Sequence, residues 1–468
     1  MMTIRRTSLQ FLIVLSLLAA GVAQRFLPTG GEGTRVYADS LVTTLAEALL
    51  ETASLPGLSV AVFHEGRVVY AHGFGFADIE RALPVDTSTQ FRTASVAKII
   101  TATALARLYQ AGRIDLDAPI RGYVTFPGGD AITARMLAGH LAGIAHYQAD
   151  DRIERDRHYV NVTEALDVFA ESPRVGPPGA QYRYSTHGYT LLAAVIESAA
   201  GVPFLDFLRQ AVFDSLGMTH TGPDLRADPP ATMSQLYWSR RGAPALVPAP
   251  EDPSYKWAGG GLISRPLDLV RLANGYFTGF IDDSIQREMF TSQRSERGEE
   301  TGVGIGWRIG TDFAARRIIH HAGAMEGARS VLVMYPDLDA AIATMTNIVW
   351  ISSVERNAQL LFEALLFGEP TAVPLTGEHP YRGTLRDQPA DGTIRFDGTG
   401  GAISMPDPFR DWVRDAAVDW MPFHRVHDDL YALVTPYGIF DMRMETGPDG
   451  VRGEVDLTPD RHWIFRTN

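Results

Sequence analysis

Ser95 and Lys98 stand three residues apart, immediately before an apolar run from Ile99 to Ala111 that has the length and composition of a helix. Residues three apart on a helix lie on one face, so these two side chains can meet. A serine hydroxyl becomes a nucleophile when a neighbour takes its proton. A lysine can take that proton where burial or nearby positive charge lowers its pKa. The spacing therefore predicts a nucleophile with its base.

The scarcity of lysine strengthens this interpretation. The chain has 42 lysines and arginines together, and only Lys98 and Lys256 are lysines. Arginine stays protonated and cannot act as a base, so a lysine at this position in an arginine-rich chain favours a chemical role. The alternative is an ordinary helix lysine beside an N-terminal serine, which is common because serine is a frequent residue.

Composition limits the class of protein. A chain of 468 residues with 45% hydrophobic residues can bury a large core and is expected to form more than one compact unit. The net charge of −13 argues against a nucleic-acid partner. The sequence has no cysteine, which excludes disulfides, cysteine-ligated metals and a lipidated cysteine.

The N-terminal stretch has the form of a secretory signal. Arg5 and Arg6 precede a nearly continuous apolar run, and small residues follow at Ala20 to Ala23. We therefore expect residues 1–23 to be a signal peptide and the protein to be exported, periplasmic or extracellular. The alternative is an uncleaved membrane anchor, although the run is shorter than the roughly 20 residues of a usual spanning helix.

Hydrophobic periodicity predicts an α+β fold for residues 35–368. An early hairpin and three later strands are expected to form an antiparallel sheet flanked by helices, among them the final helix. An α-helical lobe is inserted between the early and late strands. The Ser95 helix lies at the junction, where a cleft is expected. The predicted elements are a helix over 39–52, strands over 58–63, 68–70, 317–320, 329–335 and 340–346, and helices over 163–171, 190–200, 202–213, 264–276 and 352–367.

Glycine and proline become frequent after residue 370 and separate short apolar runs. We interpret residues 375–468 as a small β-rich C-terminal domain. Substrate gating and self-association are both open as its role. A second proline-rich segment, residues 242–253, is expected to line or cover the cleft.

Five motifs occur in the order of a known superfamily. They are FRTASVAKII from Phe91, ITARMLAGHLAGIAHY from Ile132, YST from Tyr184, WAGGGL from Trp257 and HAG from His321. The sequence resembles the serine β-lactamase and penicillin-binding-protein superfamily, in particular its class C-like branch. That branch includes carboxylesterases, D-amino-acid peptidases and mitochondrial serine β-lactamase-like proteins. The resemblance covers roughly residues 40–366 and implies the β-lactamase/transpeptidase-like fold.

The resemblance implies a role for each matched residue. Tyr184 corresponds to the tyrosine between nucleophile and leaving group, and a phenol beside a cationic lysine can exist partly as phenolate and carry a proton. Thr186 stands where the family often has asparagine, which weakens recognition of a β-lactam side-chain amide. As substrate-binding residues we expect Thr186, His321 and Gly323.

The amides of Ser95 and Ala324 correspond to the oxyanion hole. His321 replaces the lysine of the usual Lys-Thr-Gly motif and offers a weaker, pH-dependent positive charge, so carboxylate recognition is expected to suffer. Gly323 is expected to let the substrate approach the backbone.

Other polar residues favour structural roles. His320 and His321 are neighbours on a strand and point to opposite faces, so no metal site is expected there. His140 and His146 are interpreted as a structural, hydrogen-bonded pair near the mouth of the site. Trp257 fits a substrate wall and core packing equally well.

We therefore predict a serine hydrolase that forms an acyl-enzyme at Ser95 on amide or ester substrates: D-amino-acid peptides, esters or, weakly, β-lactams. Lys98 and Tyr184 transfer protons, and no cofactor is needed. The expected partner is a small-molecule or peptide substrate, with a membrane only if the N-terminal segment stays uncleaved. The alternative is a catalytically silent binding or assembly protein that keeps the fold.

Overall fold

The structure is a computed structural model that describes residues 32–149, 151–240, 243–247, 249–369, 372–373, 375–412, 418–447, 450–458 and 461–467. The predicted signal peptide, residues 1–23, lies outside the described residues, and export stays a prediction. Across the described ranges, no single helix is long and apolar enough to cross a membrane, and one bent pair, Thr186–Ala200 with Phe204–Leu216, passes that test only when the two are joined.

The α-helical segments within the described ranges are numbered in chain order. They are α1 Glu32–Thr52, α2 Ala97–Gln110, α3 Ala134–Ala138, α4 Val162–Leu166, α5 Thr186–Ala200, α6 Phe204–Leu208, α7 Asp214–Leu216, α8 Trp257–Gly260, α9 Pro266–Phe277, α10 Asp283–Met289, α11 Val354–Phe367 and α12 Asp407–Trp412. A π-helical turn, Arg209–Phe213, joins α6 to α7.

The strands of the first domain and of the hairpin beside it are β1 Gly57–His64, β2 Arg67–Asp78, β3 Leu83–Pro84, β4 Phe91–Arg92, β5 Gly222–Pro223, β6 Tyr237–Arg240, β7 Ala243–Leu246, β8 Leu262–Ser264, β9 Arg308–Thr311, β10 Arg317–Met325, β11 Ala328–Tyr335 and β12 Ala340–Thr346. The remaining strands are β13 Thr376–Leu385, β14 Gln388–Pro389, β15 Gly392–Asp397, β16 Gly400–Ser404, β17 Trp420–His427, β18 Leu430–Thr435, β19 Gly438–Gly447, β20 Gly450–Thr458 and β21 Arg461–Thr467.

A seven-stranded antiparallel sheet forms the centre of the first domain, in the order β3-β2-β1-β12-β11-β10-β9. The early hairpin pairs with the last strand through β1 and β12, from Leu58 opposite Thr346 to His64 opposite Ala340. Strand β12 is buried throughout and β11 is buried except at Arg329, which is why most of their residues are apolar on both faces rather than alternating. The predicted α+β fold with an antiparallel sheet is confirmed.

The sheet separates two cores. On one face α1 and α11 pack against the strands, and on the other face α9 and the helical lobe do so. The lobe is built around α2 and α5, whose buried faces share one apolar cluster with the sheet. The α2 helix ends before Gly112, which has a φ of +63° as expected for a left-handed C-terminal residue.

Several predicted boundaries shift. The α5 helix begins at Thr186, four residues before the apolar repeat starts, because Ser185 caps it by accepting a hydrogen bond from the amide of Gly188. The predicted helix over 163–171 is only one turn long as α4. Residues 242–253 are not a continuous loop, because β7 pairs with β6 as a hairpin.

The predicted β-rich C-terminal domain is confirmed, and it forms a closed barrel. Eight strands pair in the order β13-β15-β16-β17-β18-β19-β20-β21, and β21 pairs back with β13. Closure removes the exposed sheet edges. Large buried side chains fill its interior, among them Phe423, Phe440, Trp463 and Phe465.

The barrel packs on the α1 and α11 helices, on the side of the sheet opposite the helical lobe. Asn357 in α11 accepts a hydrogen bond of 2.7 Å from the amide of Ile439, and His427 lies 2.8 Å from Glu363. The barrel is therefore held against the back of the sheet, and the described residues that line the Ser95 cleft all lie between positions 94 and 326.

Candidate active site

Ser95 lies in a 3₁₀ turn, Ala94–Val96, that leads directly into α2. Ala94 has a φ of +45°, a left-handed conformation that costs energy for a residue with a side chain. The turn lifts Ser95 out of the core, so that Ser95 is partly exposed while Ala94 and Val96 are buried. Strain of this kind is typical of a functional turn held by its surroundings.

Lys98 is fully buried and reaches the nucleophile, as the spacing predicted. Its Nζ lies 3.3 Å from Ser95 Oγ, 3.0 Å from Thr186 Oγ1 and 2.6 Å from the carbonyl oxygen of Gly259. Burial, then the positive charges of Lys256 and Arg308, hold the pKa of Lys98 well below its ordinary value. A neutral amine donates two hydrogen bonds, here to Gly259 and Thr186, and keeps its lone pair for the Ser95 proton.

Tyr184 donates a hydrogen bond of 2.8 Å to Ser95 Oγ. Burial raises the pKa of Tyr184 to about 12, although the hydrogen bond to Ser95 and the charge of Arg308 oppose this shift. The expected phenolate is therefore disfavoured, because the raised pKa favours the protonated hydroxyl of Tyr184, while the lowered pKa of Lys98 favours its neutral amine. The physical reason is that both groups lose contact with water, which favours the neutral form of each.

His140 and His146 position the start of α5. The amide of Ser185 donates to His140 Nδ1 and the amide of Thr186 donates to His146 Nδ1, each at 3.1 Å. Burial is the main cause that lowers the pKa of His140 far below its ordinary value and that of His146 to about 4. Both rings are thus neutral acceptors, and each bonds to the backbone of the Tyr184 motif rather than to the other ring.

Strand β10 passes beside the Ser95 turn. Met325 and Ala328 flank a two-residue turn and form a hydrogen-bonded pair, so the next pair, Ala324 and Arg329, is non-hydrogen-bonded. The amide of Ala324 therefore points away from β11. Both Ala324 and Ser95 line the cleft, which is the arrangement that two oxyanion-hole donors need.

Gly323 allows the nucleophile turn, rather than the substrate, to approach the strand. A Cβ atom at this position would lie 2.4 Å from Ser330 Oγ, 2.5 Å from the carbonyl oxygen of Thr93 and 2.9 Å from the amide nitrogen of Ser95. Ser330 also donates a hydrogen bond of 2.5 Å to that carbonyl group. Glycine is the residue that leaves room for these contacts.

We therefore expect Gly323→Ala to displace the Ser95 amide and to reduce reaction with a fluorophosphonate probe by about tenfold or more, since one oxyanion donor is worth about 10²–10³ in rate. Gly310→Ala in the adjacent strand is the matched control, because its added Cβ would meet nothing nearer than His320 Nε2 at 3.9 Å. Equal labelling rates of the two variants would contradict this role.

His321 is buried, with 1% of its surface exposed, and does not line the cleft. Its Nδ1 donates to the carbonyl oxygen of Ala322 at 2.7 Å, and its ring centre lies 6.4 Å from that of Tyr184. Burial and the charges of Arg308 and Lys98 lower its pKa well below the ordinary value. In place of the expected pH-dependent charge facing the substrate, the structure has a neutral imidazole packed behind Tyr184.

Thr186 lines the cleft, but its hydroxyl accepts the hydrogen bond from Lys98. Trp257 is 4% exposed and belongs to the apolar core, so it is core packing rather than a substrate wall. No group of three or more potential metal ligands occurs in the part of the chain that the structure describes.

The cleft over Ser95 has a volume of about 500 Å³. Its walls include the second lysine of the chain, Lys256, together with Glu251, Arg155 and Glu326. Glu251 lies in the segment 242–253, which was expected to line or cover the cleft, whereas Lys256, Arg155 and Glu326 were not predicted there. The scarcity of lysine could have indicated that Lys256 belongs to the site, since both lysines of this arginine-rich chain line or adjoin the same cleft.

Comparison with known proteins agrees with this architecture. The family model described as β-lactamase matches residues 42–366, from the middle of α1 to the end of α11. The chain belongs to the β-lactamase family. The match includes Ser95, Lys98, Tyr184 and the β10 strand, and it ends before the C-terminal barrel.

Relatives of this β-lactamase-family chain cover most of its length. It is 27% identical over 390 residues to the human mitochondrial serine β-lactamase-like protein, covering 63% of this chain and 71% of the relative. It is 26% identical to penicillin-binding protein 4* of Bacillus subtilis over 346 residues, or 71% and 76% of the two chains. The fold is similar to that of the octameric penicillin-binding protein homologue from Pyrococcus abyssi, with a TM-score of 0.59, 20% identity and coverage of 91% and 99%.

Proposed function

We propose that this protein is a serine hydrolase that forms an acyl-enzyme at Ser95. One observation carries the proposal: Ser95 Oγ lies 3.3 Å from a buried lysine amine and 2.8 Å from a tyrosine hydroxyl, at the wall of an open cleft. A positioned base and a positioned donor around one serine hydroxyl are what acyl transfer requires.

The first half-reaction follows from these positions. Ser95 Oγ attacks the substrate carbonyl carbon while its proton passes to the neutral amine of Lys98. The carbonyl electron pair moves onto oxygen, where the amides of Ser95 and Ala324 stabilise it. The intermediate then expels the leaving group, which takes a proton from the hydroxyl of Tyr184, and the proton on Lys98 replaces it. Water hydrolyses the resulting ester by the reverse order of proton transfers.

The third motif supports amides and esters over penicillins as substrates. His321 is buried and its pKa is lowered, so it supplies no fixed positive charge for a substrate carboxylate. Thr186 lacks the side-chain amide that the family often has at this position, and its hydroxyl already accepts a hydrogen bond from Lys98. D-amino-acid peptides and simple esters are the substrate classes we propose, with penicillins as weak substrates at most.

The test is the intact mass of the protein after exposure to a fluorophosphonate probe, beside Ser95→Ala. We expect one adduct on the parent protein and none on the variant. Folded parent protein without an adduct would refute the proposal and favour the silent binding protein.

The pKa shifts predict the pH dependence of acylation. The rate should rise with pH as Lys98 loses its proton, at a pH well below the ordinary lysine range, because burial and two nearby cations lower its pKa. Tyr184 must keep its proton to act as a donor. Because its pKa is about 12, the rate should fall through loss of this proton only above the pH range of the measurement. Labelling rates from pH 5 to about 10.5 should therefore give one ascending limb and a plateau. A rate that falls between pH 8 and 10 would contradict this assignment.

A further inference from the structure

Lys256 and Glu251 form an ion pair in the wall of the Ser95 cleft. Lys256 Nζ donates to Glu251 Oε1, and the two side chains are only 8% and 15% exposed. Among the described residues this is the one hydrogen bond found for the Lys256 ammonium, which has three N–H groups. Glu251 Oε2 likewise keeps its acceptor capacity. The pair therefore presents unused donors and an unused acceptor.

The pair lies next to the nucleophile. A Cβ atom placed on Gly260 would be 3.7 Å from the carbonyl carbon of Ala94 and 3.8 Å from Cδ of Lys256, so the lysine stem and the residue before Ser95 flank the same glycine. Ser95, Lys256 and Glu251 all line the one cleft of about 500 Å³. That volume is typical of pockets that enclose most of a small ligand, so a substrate held at Ser95 also meets the pair.

The surroundings hold the backbone of Glu251 and pack against the ammonium group of Lys256. Arg92 donates to the backbone carbonyl oxygen of Glu251 at 3.0 Å, and the amide of Glu251 donates to Glu326 at 3.1 Å. The Lys256 ammonium lies 4.9 Å from the ring centre of Tyr255. A preorganised donor and acceptor lose little entropy when they bind a ligand.

The local charges favour a neutral dipolar group over an ion. An anion at Lys256 would lie beside Glu251 and close to Glu326, and a cation at Glu251 would lie beside Lys256 and close to Arg155, since all four line the cleft. Inserting a single charge would leave one member of the buried pair without its partner, which is costly. An amide supplies one acceptor and one donor without disturbing the charge balance.

We propose that Lys256 and Glu251 bind a second, non-scissile amide group of the substrate, Lys256 donating to its carbonyl oxygen and Glu251 accepting from its N–H. The site would make the protein selective for peptide-like or N-acylated substrates over simple hydrocarbon esters. This inference rests on the proposed hydrolase function and assigns the residues that select its peptide-like substrates over simple esters. Lys256 and Glu251 determine specificity and take no part in bond breaking.

The test compares 4-nitrophenyl esters whose acyl chains have similar length. The N-acetylglycyl ester is the amide member and the pentanoyl ester is the hydrocarbon member. The 4-oxopentanoyl ester keeps the second carbonyl but lacks the N–H, and the succinyl and 4-aminobutanoyl esters each carry one charge. In a second series of acetate esters, the same groups are part of the alcohol rather than of the acyl chain. In one of the two series we expect kcat/KM for the amide member to exceed that of the hydrocarbon member about 10- to 100-fold, as for hydrogen bonds to charged groups.

The double variant Lys256→Met/Glu251→Leu removes the pair without leaving a buried charge alone. We expect the preference for the amide to fall to within about twofold of the hydrocarbon ester. Lys256→Gln/Glu251→Gln, which keeps a donor and an acceptor and leaves no buried charge alone, should retain part of the preference and covers the case in which the first double variant does not fold. Ratios within each variant cancel any change in the reactivity of Ser95.

The possible results separate this inference from the proposed function. Three results would overturn the inference: no preference for the amide in either series, an equal preference in the double variant, or a charged member as the best substrate. The fluorophosphonate adduct would still support a hydrolase in each case. Loss of the adduct itself would overturn the proposed function instead.

Discussion

Lys98→Arg is expected to reduce acylation of Ser95 by about 10³-fold, although it keeps a basic side chain, because general bases contribute about 10²–10⁴ in rate and arginine cannot lose its proton. The amine that accepts the Ser95 proton is fully buried, and its pKa is lowered by burial and by Lys256 and Arg308. A guanidinium in the same space would stay charged among those cations. The measurement is the second-order rate of fluorophosphonate labelling.

Lys98→Met separates loss of the base from loss of folding. Since the folded state already favours the neutral form of Lys98, the methionine variant should unfold at a temperature close to that of the parent and be equally unreactive. The arginine variant buries an extra charge and should also unfold at a lower temperature. A reactive Lys98→Arg protein would remove Lys98 from the role of base.

Tyr184→Phe is expected to reduce hydrolysis of an amide by about 10²-fold or more, because the leaving amine would lack the donor that lies 2.8 Å from Ser95 Oγ. A 4-nitrophenyl ester of the same acyl group should lose much less, since nitrophenolate leaves without a proton. The ratio of the two losses is therefore the informative measurement.

The matched control for this variant is Tyr182→Phe. Tyr182 lies two residues earlier and packs edge-on against the same His140 ring, with ring centres 5.7 Å apart. We expect this variant to keep both activities within about threefold. Equal losses on amide and ester for Tyr184→Phe would indicate that the hydroxyl acts on Ser95 alone and not on the leaving group.

Local sequence was sufficient for the nucleophile and for much of the sheet. The three-residue spacing places Ser95 beside Lys98 in any helical geometry, and the alternation and apolar runs predicted β10, β11 and β12 in the correct order. The Tyr184 motif was found through resemblance rather than through periodicity. The structure brings its hydroxyl to Ser95 Oγ from 89 positions away.

Local sequence was insufficient where a property depends on what covers a residue. Strand alternation indicates that His320 and His321 face opposite ways, but not that His321 is buried and that burial and the charge of Arg308 lower its pKa. The same holds for Thr186, whose hydroxyl is used by Lys98, and for Gly323, whose small size serves the Ser95 turn. Closure of the barrel could not be predicted from local sequence either, because it depends on the pairing of β13 with β21, in which Tyr381 lies opposite Thr467.

By itself the sequence determined which residues can react, because side-chain type and helical spacing are local properties. Tertiary structure decided how they are protonated and what else lines the cleft. Burial lowers the pKa of Lys98 and raises that of Tyr184, which favours the neutral form of each. Lys256, 158 residues after Lys98, enters the site because the turn Pro253–Lys256 and α8 pack against α5 and the Ser95 helix. Burial and the distances between charges depend on residues that are far apart in the sequence, so they are set only when the chain has folded.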